Sequence, residues 1–154
     1  MMALFVAACA ETTSRSGSGS GSSGAYGSSA ASRLSDSSET RYLIENVGDR
    51  VFFDTDKARL NGVARATLLG QAQWLKQNGN IRLIIEGHAD ERGTRDYNIA
   101  LGARRASAVR DFLISEGISS RRLRTISYGK ERPVSLCSEE SCWSKNRRAV
   151  STIR

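Results

Sequence analysis

Residues 86–106 decide the fold, and their sequence is EGHADERGTRDYNIALGARRA. They continue an alternating apolar segment, Ile81–Glu86, which predicts a strand that ends at Gly87. The polar residues His88–Arg95 predict a loop, and Asp96–Glu116 predicts the longest helix of the chain. A strand, a polar loop and a helix in this order place the loop side chains beside the first turn of the helix.

One arginine lies on the apolar face of this helix. At about 100° per residue, Leu101, Ala108, Val109 and Phe112 share one arc of the helical wheel, and Arg105 falls within that arc. Because an isolated buried charge is very costly, Arg105 needs an internal carboxylate or a bound ligand. Alternatively, its side chain could extend past the edge of the helix or pair within the protein.

Two carboxylates of the loop, Asp90 and Glu91, precede the helix closely enough to lie near Arg105. The start of a helix favours anions, an arginine can fork onto a carboxylate, and an aspartate can accept an ammonium group. These residues therefore predict a site for a zwitterion. The alternative is that Asp90 and Glu91 accept hydrogen bonds from turn amides and stabilise the loop.

The other apolar patterns complete an α/β fold. Strands are predicted at Val51–Phe53, Leu123–Tyr128 and Arg147–Arg154, with a cysteine-bearing loop before the last of them. The order β-α-β-α-β-β favours a two-layer sandwich with both helices on one face of a small mixed sheet.

The first helix has recognisable ends. Asn61 predicts its N-cap, the helix runs to about Asn78, and Gly79 is expected as a left-handed stop. Gly117, followed by Ile118, is expected to end the second helix in the same way. The buried stripe of the first helix is predicted to contain Leu60, Ala64, Leu68, Gln71 and Leu75, widened by Val63 and Trp74.

The chain begins with a segment of a different composition. Residues 1–9 are apolar and end in two alanines and Cys9, which predicts a truncated lipoprotein signal with Cys9 as the lipidated residue. A chance apolar N-terminus is the alternative. Residues 10–41 are dominated by Ser and Gly and predict a flexible linker, so the folded domain is expected over residues 42–154.

The net charge of +7 is compatible with anionic partners such as nucleic acid, lipid headgroups or cell wall. Aromatic residues make up 6% of the chain, and the basic residues are scattered among carboxylates. This pattern lacks the aromatic and basic platform of single-stranded nucleic-acid binders, so no nucleic-acid partner is predicted.

Three cysteines and one histidine limit the metal chemistry of the chain. Cys137 and Cys142 with a distant His88 cannot supply the four ligands of a structural zinc site. In an exported protein the two cysteines are expected to form a disulfide that pins their loop more than it stabilises the fold.

Five segments together resemble the OmpA-like family of peptidoglycan-binding domains, in its Pal branch. The resemblance covers about residues 45–154. The segments are Val51–Asp54, Glu86–Thr94, Tyr97–Ala106, Ser127–Pro133 and Ser144–Val150.

The resemblance implies a function and a site. Such domains bind the diaminopimelic acid side chain of peptidoglycan stem peptides non-covalently, and the matching positions imply that Asp90 holds its ammonium and Arg105 its carboxylate. Leu101 and Asp56 are implied to line the site together with Ala89. Thr55 stands where Pal proteins usually carry an aromatic residue, and Cys137 and Cys142 are not part of the general pattern.

The resemblance also implies a cellular context. It implies a lipid anchor in the bacterial outer membrane, a domain in the periplasm, and participation with TolB and other Tol proteins in envelope integrity and cell division. No cofactor is implied.

Two rival functions use the same residues differently. A wall-degrading enzyme could use the alternating Glu86, His88 and Asp90, but the sequence contains neither a His-Glu-x-x-His zinc motif nor a Gly-x-Ser-x-Gly elbow. We therefore expect no enzymatic activity. A protein-binding module, in which Asp90 and Arg105 form an internal salt bridge, is the other alternative.

Overall fold

The computed structural model describes residues 38–154, so the predictions for residues 1–9 and for most of the linker lie outside the described residues. Its strands and helices, in chain order, are β1 (Arg50–Phe52), α1 (Gly62–Gln77), β2 (Leu83–His88), α2 (Arg95–Ser115), β3 (Leu123–Gly129), α3 (Glu140–Asn146) and β4 (Arg148–Ile153). Helical backbone over residues 38–42 leads into a π-helical turn, Leu43–Val47, and a 3-10 turn, Ser120–Arg122, precedes β3.

The four strands form one mixed sheet in the order β1-β4-β2-β3. Strand β4 runs antiparallel to both β1 and β2, while β2 and β3 are parallel and are joined through α2. The predicted α/β sandwich is confirmed. Because β2 and β3 are parallel, both end at the same edge of the sheet, which we call the carboxyl edge; their beginnings define the amino edge.

The core lies between the sheet and helices α1 and α2. Complete burial of an aliphatic side chain stabilises the fold by about 1.5–3 kcal/mol, so the buried aliphatic residues of this core supply much of the driving force for folding. The most deeply buried ones are Leu68, Leu75, Ile85, Val109 and Leu113.

Helix α2 and strand β2 approach each other backbone to backbone near the carboxyl edge. A Cβ atom added to Gly87 would overlap the carbonyl group of Gly102, and one added to Gly102 would overlap the Ser127 hydroxyl. Glycine is therefore required at both positions. This contact fixes the first half of α2 and the loop before it directly over the ends of β2 and β3.

Several predicted helix ends are confirmed. The Asn61 side chain accepts a hydrogen bond from the Ala64 amide at 2.8 Å. Gly117 has a φ of 91°, and the amide of Ile118 donates to the Leu113 carbonyl at 3.0 Å, as in a Schellman motif.

Other details differ from the sequence predictions. Gly79 is not left-handed: α1 ends at Gln77, and the side-chain amide of its C-cap, Asn78, donates to the Trp74 carbonyl at 2.9 Å. Val63 is 79% exposed and does not belong to the buried stripe, whose other predicted members are all buried. Strand β2 begins two residues later than predicted and continues through Gly87 to His88, since the ladder with β3 extends that far.

The cysteine-bearing segment also differs, because its second half forms the short helix α3. Finally, no helix in residues 38–154 combines the length and the hydropathy that a membrane span requires.

Candidate functional site

A cavity of about 330 Å³ opens at the carboxyl edge, where the loop after β1, the loop after β2 and the first turns of α2 meet. It contains charged, aromatic and aliphatic side chains within reach of one small molecule. The lining residues are Thr55, Asp56, Asp90, Arg92, Gly93, Tyr97, Asn98 and Leu101.

Helix α2 supplies one wall of the cavity. Thr94 caps the helix by accepting a hydrogen bond from the Tyr97 amide at 3.3 Å. Because Asn98 and Leu101 follow Tyr97 at helical spacing, the three side chains share the face that overlooks the sheet edge. Arg105 lies one further turn along the same face.

Asp90 is the carboxylate of the cavity, and it is only 7% exposed. Its Oδ1 accepts hydrogen bonds from the Arg92 amide (3.1 Å) and Nε (3.2 Å), and its Oδ2 accepts from the second guanidinium nitrogen of Arg92 at 2.8 Å. Arg147 approaches Oδ2 at 3.5 Å. Burial raises the pKa of Asp90, but the hydrogen bonds and charges of the two arginines outweigh that effect and lower it, so Asp90 is ionised at neutral pH.

Arg105 is completely buried, as its position on the helical wheel predicts. Its three nitrogens donate to three backbone carbonyls, those of Lys57 (2.8 Å), His88 (2.8 Å) and Asp54 (3.1 Å). The guanidinium also lies 5.2 Å from the centre of the Phe53 ring. Burial lowers the pKa of Arg105 to about 10, and Asp90 is the neighbouring charge that most favours the protonated form, so the side chain stays charged at neutral pH.

Arg105 has no salt bridge within residues 38–154, although it is fully buried. Asp90 pairs with Arg92 and Arg147 instead. The internal Asp90–Arg105 pair considered from the sequence is therefore absent from the described part of the chain. A buried guanidinium held by neutral carbonyls retains its full positive charge beside the cavity.

The predicted site residues divide into two groups. Asp90, Asp56 and Leu101 line the cavity, whereas Arg105 and Ala89 are buried behind it. Asp56 has a left-handed backbone with a φ of 59°, which is unusual for a residue other than glycine, and its carboxylate accepts a hydrogen bond from the Tyr97 hydroxyl.

Sequence reasoning assigned no role to four residues that shape the site: Arg92, Tyr97, Asn98 and Arg147. A cap at Thr94 could have indicated Tyr97 and Asn98, because the position of the cap fixes which side chains of the first helical turn face the loop. The aromatic ring of the cavity comes from Tyr97 on α2, while the first-strand loop contributes Thr55.

His88 lies apart from the cavity, with its ring against Tyr128 at a centroid distance of 5.5 Å. Burial lowers its pKa to about 4, helped by the charges of Arg148 and Arg132, so the ring is neutral at physiological pH. Glu86 is 3.6 Å away, and neither ring nitrogen has a hydrogen-bond partner within residues 38–154. Glu86 and His88 therefore contact each other but do not line the cavity that contains Asp90.

A metal centre is likewise not assembled in the part of the chain that the structure describes, where no three His, Cys, Asp or Glu side chains cluster suitably. Cys137 and Cys142 are joined in a disulfide with their Cα atoms 5.6 Å apart.

The model of the OmpA family matches residues 52–147, which contain the cavity and most of the sheet. The chain belongs to the OmpA family. The family resemblance predicted from the sequence is therefore confirmed.

Individual relatives agree with this assignment. The chain is 63% identical over 108 residues to the peptidoglycan-associated lipoprotein of Mesorhizobium japonicum, an alignment that covers 70% of this chain and 64% of that protein. It is 49% identical over 152 residues to the protein of the same name from Agrobacterium fabrum, covering 99% of this chain and 83% of the relative. The chain therefore spans somewhat less than two thirds of the Mesorhizobium relative.

A solved structure shows the same architecture. The crystal structure of the peptidoglycan-associated lipoprotein from Burkholderia pseudomallei matches with a TM-score of 0.69 at 36% identity, covering 73% of this chain and 99% of that one.

Proposed function

We propose that this OmpA-family chain binds peptidoglycan non-covalently, through the diaminopimelic acid of the stem peptide, and has no enzymatic activity. The observation that carries the proposal is Arg105, a charged and fully buried guanidinium that has no carboxylate partner within residues 38–154 and lies behind a cavity containing Asp90. The relatives from Mesorhizobium and Agrobacterium are named peptidoglycan-associated lipoproteins, which supports peptidoglycan as the partner.

The chemistry of the two residues suits the free end of diaminopimelate, which carries an ammonium and a carboxylate on one carbon. Asp90 is ionised and can accept the ammonium, while Arg105 can donate to the carboxylate. A guanidinium has five N–H groups, and Arg105 uses three of them in hydrogen bonds to carbonyls of the described residues. In this proposal the two others donate to a ligand carboxylate that enters from the cavity.

The residues around this pair would complete the site. Leu101 offers an apolar surface to the methylene groups of the ligand, and Asp56 offers a second carboxylate to its ammonium. Ala89, which precedes Asp90 in the chain and is buried, belongs to the proposed site as well.

The same proposal extends to the cellular context. With Cys9 lipidated and residues 10–41 acting as a linker, the domain would join the outer membrane to the cell wall. Binding to TolB and a contribution to the Tol-Pal system in cell division belong to this proposal as well, on the strength of the Pal resemblance.

Co-sedimentation with purified sacculi tests the proposed function. We expect the wild-type protein to pellet with diaminopimelate-type sacculi, and Asp90→Ala to bind about ten- to a hundred-fold more weakly, because a hydrogen bond to a charged group contributes about 1.5–3 kcal/mol. Asp111→Ala, which removes an exposed carboxylate of α2, is the matched control and should pellet like wild type.

Three results would contradict the proposal. Folded Asp90→Ala that pellets like wild type would exclude Asp90 from the site. Equal binding to sacculi with lysine in place of diaminopimelate would exclude recognition of the zwitterionic end, since lysine lacks that carboxylate. Release of soluble muropeptides would show that the chain is a hydrolase.

A further inference from the structure

The short helix α3 lies beside the cavity and carries an aromatic residue, Trp143, that touches the loop after β2. The indole N–H of Trp143 donates to Glu91 Oε1 at 3.2 Å. The guanidinium of Arg92 lies 4.1 Å from the centre of the Trp143 ring, in a cation–π contact. Trp143 thus holds two consecutive residues of the loop that carries Asp90.

Arg92 connects Trp143 to the carboxylate of the cavity. One face of its guanidinium lies on the indole, and its Nε and one terminal nitrogen donate to the two oxygens of Asp90 at 3.2 and 2.8 Å. The Arg92 side chain is 41% exposed, and its guanidinium also donates to the Thr55 hydroxyl at 3.5 Å. The stacking therefore adds to the hydrogen bonds that hold the guanidinium against the Asp90 carboxylate.

The second cation beside Asp90 also depends on α3. Arg147 directly follows the helix and donates to both carboxylate oxygens of Glu140, one of them at 3.2 Å, while it lies 3.5 Å from Asp90. The Arg147 amide donates to the Trp143 carbonyl at 3.0 Å. The same short helix therefore contacts both arginines that pair with Asp90.

A helix of seven residues is too short to be stable by itself, so its position depends on other contacts. The Cys137–Cys142 disulfide ties its first turn to the preceding loop. At the other end, the buried side chain of Asn146 accepts hydrogen bonds from the amides of Val134 (2.8 Å) and Ser135 (3.1 Å). The disulfide thus fixes the end of α3 that Asn146 does not reach.

We propose that Trp143 is a positioning residue for the binding site: acting through Arg92, it orients the Asp90 carboxylate toward the ligand ammonium, and the Cys137–Cys142 disulfide keeps Trp143 in place. This inference rests on the proposed function, because it treats the cavity as the diaminopimelate site. It assigns a role in binding to Trp143 and to the two cysteines, which lie outside the five segments that resemble the family.

The test uses Trp143→Ala, Trp143→Phe and the double variant Cys137→Ser/Cys142→Ser. The matched control is Leu136→Ala, which changes an 87% exposed residue of the same segment. Two quantities are measured in the full chain: the affinity for meso-diaminopimelate by calorimetry, and the pKa of the Asp90 carboxyl by NMR titration. Circular dichroism checks that each variant is folded.

We expect Trp143→Ala and the double cysteine variant to weaken binding by about five- to ten-fold and to raise the pKa of Asp90, because Arg92 then spends less time on the carboxylate. Trp143→Phe keeps a ring for the stacking and should lose about two-fold or less. Leu136→Ala should match wild type in both measurements.

Weaker binding with an unchanged pKa of Asp90 in folded Trp143→Ala would overturn the positioning role, since a general structural effect would not involve the carboxylate. Unchanged binding and pKa in both Trp143→Ala and the double cysteine variant would overturn it as well. If wild type itself fails to bind diaminopimelate, the proposed function fails, while the pKa of Asp90 still shows whether Trp143 orients it.

Discussion

Two arginines hold backbone carbonyls at opposite edges of the parallel strand pair β2 and β3. At the amino edge, Arg122 donates to the carbonyls of Ile81 (2.8 Å), Asn78 (2.7 Å) and Leu75 (3.0 Å). At the carboxyl edge, Arg105 donates to three carbonyls at similar distances. The local chemistry of the two side chains is the same.

Their surroundings differ. The carbonyls that Arg122 binds lie at the end of α1 and just beyond it, where helical carbonyls lack partners, and this arginine keeps some contact with solvent. Arg105 is completely buried, and its nearest favourable charges are the carboxylates of Asp90 and Asp56. A carbonyl-bound arginine is thus a structural clamp at the amino edge, and it becomes a candidate for ligand binding at the carboxyl edge, where a cavity and a carboxylate adjoin it.

A pair of glycines offers the largest test of this difference between the edges. Gly87→Ala at the carboxyl edge should destabilise the domain by about 3 kcal/mol or more, because the new Cβ would overlap the backbone of α2. Gly79→Ala at the amino edge meets nothing within 4 Å and should be neutral or stabilising by up to about 1 kcal/mol. Urea unfolding measures both, and similar midpoints for the two variants would contradict the tight packing at the carboxyl edge.

The two arginines themselves provide the next test. Arg105→Ala and Arg122→Ala should each lower the free energy of unfolding by a few kcal/mol, since each loses three charge-assisted hydrogen bonds. Only Arg105→Ala should also lose binding to sacculi, by roughly a hundred-fold, and Arg105→Lys should recover little of it because an ammonium cannot fork onto a carboxylate. Equal binding to sacculi by folded Arg105→Ala and Arg122→Ala would contradict the claim that Arg105 belongs to the binding site and Arg122 does not.

A smaller effect concerns acid sensitivity, which we expect to be concentrated at the carboxyl edge. Because the pKa of His88 is lowered from 6.5 to about 4, the unfolded chain takes up a proton below pH 6.5 that the folded chain does not bind until pH 4. The free energy of unfolding should therefore fall by about 2–3 kcal/mol as the pH is lowered from 6.5 to 4. His88→Phe, which keeps a ring against Tyr128, should flatten this part of the profile, and an unchanged profile would contradict the assignment.

The sequence predicts those parts of the molecule that depend on local periodicity. The stripe from Leu60 to Leu75 and the burial of Arg105 both follow from the 3.6-residue repeat of a helix, and the structure confirms both. Val63 is the exception, because apolar character alone does not place a side chain on the buried face.

The parts that the sequence could not predict depend on contacts between distant residues. Arg147 lies 57 positions from Asp90, so no local pattern could show that they meet. Helix α3 is short and contains serine and cysteine, which are weak helix formers, and contacts with distant parts of the chain keep it in place. The zwitterion site at Asp90 and Arg105 is predicted from the helical wheel and the loop carboxylates, and diaminopimelate as its ligand from the family resemblance; both remain predictions.

The most direct test of the account is an NMR titration of the wild-type chain with meso-diaminopimelate. Binding at the carboxyl edge predicts saturable shifts of the amide signals of Asp56, Asp90, Tyr97 and Leu101, while the signals of Asn78 and Arg122 at the amino edge stay in place. The absence of saturable shifts, or shifts confined to the amino edge, would contradict the claim that the cavity beside Arg105 is the binding site.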